Sequence, residues 1–97
     1  MFLINLTYKK DLSTVEQWII PHRQFLEKYY QLNVFLLSGR KNPRIGGVIL
    51  ARADSKSKLE EILQQDPFYV HGVADYDIIE FTLTQHHPQF QTLIETS

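Results

Sequence analysis

The sequence predicts an α+β fold whose elements follow the order βαββαβ. Three patterns indicate this order: alternating apolar residues at the start, two apolar stripes at helical spacing, and two short apolar segments separated by a turn. A chain of 97 residues fits a single domain. We expect that domain to cover residues 1–83, followed by a C-terminal tail over residues 84–97.

The first strand is predicted over residues 2–8. Phe2, Ile4 and Leu6 fall on one face of this segment, and Leu3 falls on the other. Because side chains of a strand alternate between its two faces, this period of two indicates a strand with one face in the core.

The first helix is predicted to follow a polar break. Ser13 and Glu16 have the spacing of a capping box, and the apolar residues after them recur at helical spacing. Pro21 interrupts the pattern, because a proline inside a helix removes a hydrogen bond and clashes with the preceding turn, at a cost of about 3 kcal/mol or more. We therefore expect a kink or a restart there, with the main helix over about residues 21–31.

A β-hairpin is predicted over residues 34–53. The apolar run at residues 34–37 is too short for a helix and indicates a buried strand, which Ser38-Gly39 would end. A second strand is expected over residues 45–53. Gly46-Gly47 within it indicates a bulge or a close backbone approach.

A second helix and a last strand complete the predicted fold. Asp54 or Ser55 can cap the helix, and Pro67 is expected to end it. The last strand is predicted over residues 76–83. The tail after it has weak helical character around Phe90.

This order of elements predicts one four-stranded antiparallel sheet with both helices on one face, since right-handed crossovers place the helices side by side. The strands carry apolar residues on both faces, so the second face has no cover within the chain. An uncovered apolar face usually marks an interface. We therefore expect a twofold homodimer in which two sheet faces meet.

The composition argues against several classes of function. The formal net charge of −1 does not suit a nucleic-acid-binding surface, and the absence of cysteine excludes disulfides, thiolate metal sites and thiol nucleophiles. No apolar run reaches the roughly 20 residues that span a bilayer. The first residues lack the features of a signal peptide. We expect a soluble cytoplasmic protein without a membrane or nucleic-acid partner.

His22 and Asp66 are the candidate catalytic residues. Each falls on the apolar side of its own predicted helix, where a polar side chain needs a specific partner. If the fold brings the two helices together, His22 could act as a general acid or base, and Asp66 could orient it. The structural alternatives are a buried histidine that fills space and a turn residue before Pro67.

Other polar clusters favour structural interpretations. Arg40, Lys41 and Arg44 could hold an anionic substrate, but a solvated hairpin tip accounts for them better. His71 and His86-His87 lack a carboxylate at ligand spacing, so we expect no metal site and no cofactor. Four tyrosines are expected mostly in the core or an interface, although one close to the candidate histidine could polarise a ligand: Tyr8, Tyr29, Tyr69 and Tyr76.

The chain resembles the YCII-related proteins, which are small dimeric ferredoxin-like domains. The resemblance covers roughly Phe2 to Phe81 and rests on Pro21-His22, Leu37-Ser38-Gly39, Gly46 and Asp66-Pro67-Phe68. It implies a dimeric α+β barrel and a pocket in which His22 and Asp66 form a catalytic dyad. Characterised relatives carry out elimination or isomerisation of small cyclic compounds, including dehydrochlorination of a chlorinated hydroquinone.

One position departs from the pattern of the family. Many members carry an arginine three residues before the histidine, where this chain has Ile19. The change predicts a more apolar pocket and weaker anion binding at that point.

The sequence leaves functions of different classes open. The leading hypothesis is a small enzyme, without a metal or organic cofactor, that uses His22 and Asp66 to move a proton at a carbon next to a carbonyl. The alternative is a non-catalytic ligand-binding or accessory domain, which needs a pocket but no titrating residue. A purely structural dimer is the third possibility.

Overall fold

The computed structural model describes residues 1–95 of the chain. The main elements follow the predicted βαββαβ order, with a short additional helix before the last strand and a helical tail after it. The strands are β1 (Phe2–Tyr8), β2 (Phe35–Arg40), β3 (Gly46–Ala51) and β4 (Ala74–Glu80). The helices are α1 (Leu12–Gln31), α2 (Lys56–Leu63), α3 (Pro67–Val70) and α4 (Gln91–Glu95), with a 3₁₀ turn at Pro88–Phe90.

The strands form one four-stranded sheet in the order β2-β3-β1-β4. Every neighbouring pair is antiparallel, so the predicted α+β class and strand arrangement are confirmed. The side chains of Phe2, Ile4 and Leu6 on the central strand β1 are at most 2% exposed. They belong to the same core as Val15 of α1 and Leu59 of α2. Burying a side chain of this size contributes about 1.5–3 kcal/mol, so this layer supplies much of the stability.

Helix α1 begins two residues earlier than the capping-box prediction requires. Its N-cap is Asp11, whose carboxylate accepts hydrogen bonds from the Thr14 backbone N–H at 3.1 Å and from the Thr14 hydroxyl at 2.7 Å. These bonds to Thr14 lower the pKa of the Asp11 carboxyl. The capping box of Ser13 and Glu16 is therefore wrong, and Glu16 pairs with Arg44 instead.

Helix α1 continues through Pro21, so the predicted restart is wrong. Val15 before the proline and His22 and Phe25 after it are all buried. Packing of both halves against the rest of the molecule therefore compensates for the hydrogen bond that the proline removes.

The predicted β-hairpin is confirmed, but its first strand differs from the prediction. Ser38 and Gly39 lie inside β2 and do not end it, and most of this edge strand is exposed. The irregularity lies in β2, between Phe35 and Leu37. Gly46 makes the predicted close approach, because a Cβ atom there would lie 1.9 Å from the carbonyl oxygen of Leu6.

The region after α2 also differs from the prediction. Ser55 caps α2, as expected, and accepts a hydrogen bond from the Lys58 N–H at 3.2 Å. Pro67 does not end α2, which stops at Leu63; it is the first residue of α3, where its missing N–H costs little. Strand β4 begins and ends earlier than predicted, at Ala74 and Glu80.

The sheet face opposite the helices is called the outer face below. An apolar row crosses all four strands there, because Leu37 pairs with Leu50, Leu50 with Leu3, and Leu3 with Ile79. Leu37 is 44% exposed and Ile79 is 54% exposed.

The C-terminal segment lies beside part of the outer face and is helical near its end, in line with the weak helical character predicted. Leu50 of β3 lines a cavity of about 220 Å³ together with Leu83, Phe90 and Leu93. The Arg52 guanidinium also donates a hydrogen bond to the Leu93 carbonyl. In residues 1–95, no helix has the length and apolar character needed to cross a bilayer.

Candidate active site

His22 and Asp66 meet in the interior, although they are 44 residues apart in sequence. His22 Nδ1 lies 2.8 Å from Asp66 Oδ1. The aspartate is 0% exposed and the histidine 8% exposed. The fold therefore brings together the two residues that the apolar periodicity singled out.

Asp66 accepts hydrogen bonds from three elements of the fold. Its Oδ1 also accepts from the Phe68 N–H at 3.0 Å, and its Oδ2 accepts from the Tyr76 hydroxyl at 2.5 Å. Burying a carboxylate is costly unless hydrogen bonds replace the lost water, and these three donors supply that compensation. Asp66 is thus the N-cap of α3, as a turn residue before Pro67, and also the hydrogen-bond partner of His22.

The Asp66 carboxylate determines which nitrogen of His22 carries a proton. An ionised carboxylate only accepts hydrogen bonds, so Nδ1 of the imidazole must donate to it. Nε2 is then the nitrogen with a free lone pair in the neutral ring. His22 also lines a cavity, so a ligand there would lie beside this residue.

Phe68 fixes the plane of the imidazole ring. The rings of His22 and Phe68 stack with centroids 3.9 Å apart and planes inclined by 5°. The Asp66-Pro67-Phe68 segment therefore contacts the histidine both at its nitrogen and at its face.

Tyr76 is a member of the site that the sequence did not distinguish from the other tyrosines. Burial, and then the negative charge of Asp66, raises the pKa of its phenol, so the hydroxyl stays neutral and donates. It contacts the carboxylate and therefore holds Asp66 in place. Its pairing opposite the inward-facing Leu6 is the signal that could have revealed it.

A cavity of about 470 Å³ lies beside His22, between α1 and the β2–β3 hairpin. This volume is in the range of small-molecule sites. Leu6, Ile19 and Leu26 supply apolar wall, so Ile19 does line the predicted pocket.

Three arginines line the same cavity: Arg23, Arg40 and Arg44. The substitution of Ile19 predicted a more apolar pocket, but these side chains supply positive charge from other positions. Arg40 is exposed at the end of β2, in line with a solvated hairpin tip, whereas Arg44 is half-buried and pairs with Glu16 of α1. No spacing pattern in the sequence indicates that Arg44 contacts α1.

Arg44 is the most constrained of the three arginines. Its guanidinium forms an ion pair with Glu16, whose hydrogen bond raises the pKa of Arg44. Its Nε atom is buried and has no hydrogen-bond acceptor among residues 1–95. A buried donor without an acceptor costs free energy.

The histidines considered as metal ligands make other contacts. His71 stacks on Trp18 with centroids 3.6 Å apart. The Nδ1 atom of His86 lies 3.0 Å from the His87 carbonyl oxygen, and His87 accepts a hydrogen bond from the Gln89 N–H. Within the described part of the chain, no three His, Asp or Glu side chains form a group that could hold a metal ion.

Comparison with known proteins identifies a family and a structural neighbour. The model of the YCII-related domain matches residues 1–82. The chain is similar in structure to 5-chloro-2-hydroxyhydroquinone dehydrochlorinase (TftG) from Burkholderia phenoliruptrix AC1100, solved in complex with 2,5-dihydroxybenzoquinone. The TM-score is 0.71 at 16% sequence identity, and the match covers 84% of this chain and 92% of that protein. This likeness supports the fold. No functionally curated protein matches the sequence.

Proposed function

The chain belongs to the YCII-related family, and we propose that it is a small enzyme that uses His22 and Asp66 to move a proton on a small cyclic compound. The observation that carries the proposal is the buried 2.8 Å contact between His22 Nδ1 and Asp66 Oδ1, beside a cavity of small-molecule size. The dehydrochlorinase activity in the name of the structural neighbour also supports it, since removing hydrogen chloride from a ring compound requires a base.

The proposed step is removal of a proton from a carbon next to a carbonyl group, or its return in the reverse direction. His22 Nε2 takes the proton, and the imidazole becomes an imidazolium. Asp66 stabilises that charge through the Nδ1–H bond, while Tyr76 and the Phe68 N–H hold the carboxylate in position. A positioned acid or base of this kind contributes about 10²–10⁴-fold to a rate.

Exchange of substrate C–H protons with D₂O tests the proposal even while the complete reaction is unidentified. A panel of cyclic ketones, quinones and hydroquinones is incubated with the protein in D₂O, and the loss of C–H signals is followed by proton NMR. We expect at least one member to exchange faster with the wild type than with His22→Ala. His71→Ala is the matched control, because it removes a histidine that is exposed and stacked on Trp18.

Two results would contradict the proposal. One is exchange by His22→Ala at the wild-type rate. The other is ligand binding by the wild type with no exchange of any compound that binds, which would favour the non-catalytic binding domain. Nitrogen-15 shifts of His22 provide a further test: we expect the Nδ1–H tautomer in the wild type and a changed tautomer population in Asp66→Asn.

We also propose that the protein is a homodimer formed through the outer face of the sheet. The apolar row of Leu37, Leu50, Leu3 and Ile79 supports this, because exposed apolar rows of this kind usually lie in interfaces. Light scattering at micromolar concentration should give the mass of a dimer for the wild type and of a monomer for Ile79→Lys. A monomer mass for the wild type would overturn the assembly proposed.

A further inference from the structure

We infer that the cavity beside His22 binds a small organic anion, held by Arg23, Arg40 and Arg44 through a carboxylate or a similarly planar pair of oxygens. The inference rests on the proposed function, because it names the class of substrate that His22 would act on. Its basis is the charge of the cavity wall.

The wall of the cavity carries three guanidinium groups and no carboxylate among the described residues. This is a local concentration of positive charge in a chain whose formal net charge is −1. Like charges that face one cavity repel one another, and solvent screens part of this repulsion because Arg23 and Arg40 are exposed. An anion in the cavity would remove that repulsion.

The arginines are only partly neutralised by the protein itself. Glu16 pairs with Arg44, whereas Arg23 and Arg40 make no ion pair with any residue in the described range 1–95. The buried Nε–H of Arg44 lacks an acceptor in that same range. Arg23 and Arg40 therefore retain donors that a ligand could satisfy.

The kind of anion follows from the chemistry of the donors and the size of the space. A guanidinium presents two parallel N–H donors, which match the two oxygens of a carboxylate. A volume of about 470 Å³ with apolar wall from Ile19 and Leu26 accommodates a single ring but not a polymer. A ring that carries one such anionic group would lie with its apolar part against α1 and within reach of His22.

Benzoate and benzamide are suitable probes, because they have nearly the same shape and differ in charge. Each is titrated into nitrogen-15-labelled protein at an ionic strength of about 0.1 M, where screening of exposed charges is already substantial. We expect benzoate to shift the amide signals of Ser38, Gly39 and Ile49, which line the cavity, with a millimolar dissociation constant. Benzamide should bind about tenfold more weakly or not at all.

Variants of the arginines test which side chains hold the anion. Arg23→Gln and Arg40→Gln should each weaken benzoate binding by about tenfold, since each removes a charge-assisted hydrogen bond. Lys10→Gln is the matched control, because it removes the same charge from an exposed position outside the cavity wall. Equal affinity for benzoate and benzamide, absence of benzoate binding, or wild-type binding by both arginine variants would overturn the inference.

His22→Ala separates this inference from the proposed function. Benzoate binding should survive in that variant, because the arginines hold the anion, whereas C–H exchange should be lost. Retained benzoate binding together with undiminished exchange would count against the proposed function alone. Equal binding of benzoate and benzamide by the wild type, together with C–H exchange that is lost in His22→Ala, would count against the anion inference alone.

Discussion

The two faces of the sheet are built from the same strands but differ in how far their side chains are buried. On the helix-covered face, Ile4 is 0% exposed and the polar pair of His22 and Asp66 is enclosed. On the outer face, Ile79 is 54% exposed and lies in an apolar row beside the C-terminal segment. Alternation along each strand therefore gives the sheet one enclosed face and one apolar face that is largely exposed.

The two faces should differ most in the free energy of unfolding that is lost when one carboxylate is removed from each. Asp66→Ala leaves His22, Tyr76 and the Phe68 N–H without their buried acceptor, so we expect the free energy of unfolding to fall by about 3–5 kcal/mol. Asp77→Ala, on the exposed side of β4, should change it by less than about 0.5 kcal/mol. Urea unfolding measures both values. Similar losses for the two variants would show that burial of Asp66 is not what distinguishes the faces.

Two isoleucines, one on each face, allow the free energy contributed by an apolar side chain to be compared between the faces. Ile4→Ala removes a fully enclosed side chain and should cost about 2–5 kcal/mol, because it loses burial and leaves a cavity. Ile79→Ala should cost the monomer less than about 0.5 kcal/mol. Any larger effect of Ile79→Ala should depend on protein concentration, as mass action requires for an interface residue. A large loss independent of concentration would contradict the open outer face.

The smallest expected effect concerns stability at high pH. The pKa of Tyr76 is raised above its ordinary value of 10.0 in the folded protein, because the phenol is buried beside Asp66. Above about pH 10 the unfolded chain therefore releases a proton that the folded chain retains, and the free energy of unfolding falls as the pH rises. The contribution is about 1.4 kcal/mol per pH unit for one group.

Tyr76→Phe provides the measurement for that prediction. The decline of stability at alkaline pH should be less steep in this variant than in the wild type. Tyr69→Phe is the control, because it removes the hydroxyl of a tyrosine that is 49% exposed. An unchanged slope in Tyr76→Phe would show that its phenol does not hold its proton more tightly in the folded state.

The order of elements could be predicted because it depends on periodicity, whereas the pairing of His22 with Asp66 was implied only by the family resemblance. The helical phase assigned to Asp66 is wrong, because α2 ends at Leu63 and Asp66 caps α3. The period of two around Ile4 and the helical spacing that includes His22 reflect which side chains leave water, and burial follows the same rule. The capping box failed because Asp11 and Ser13 both suit an N-cap, and only the final contacts decide between them. The prediction of a helix restart at Pro21 is wrong, because packing of α1 on both sides of Pro21 outweighs the unfavourable effect of a proline inside a helix.

The three arginines of the cavity wall could not be predicted to lie together, because this depends on how the hairpin packs against α1. Arg23 lies on α1, whereas Arg40 and Arg44 lie at the end of β2 and in the following turn. No local pattern reports that these segments face one another. Tyr76 was missed for a related reason. Its contact with Asp66 requires its side chain to point inward, and the register of β4 against β1 determines that.

The cap that Asp66 provides for α3 has a consequence for how the site can be observed. The oxygen that accepts from His22 also accepts from the Phe68 N–H, so a local opening of α3 releases both groups together. The rate at which that single amide proton is replaced by solvent hydrogen therefore reports the integrity of the dyad. One backbone signal can follow the dyad in the protein at rest, before any substrate is known.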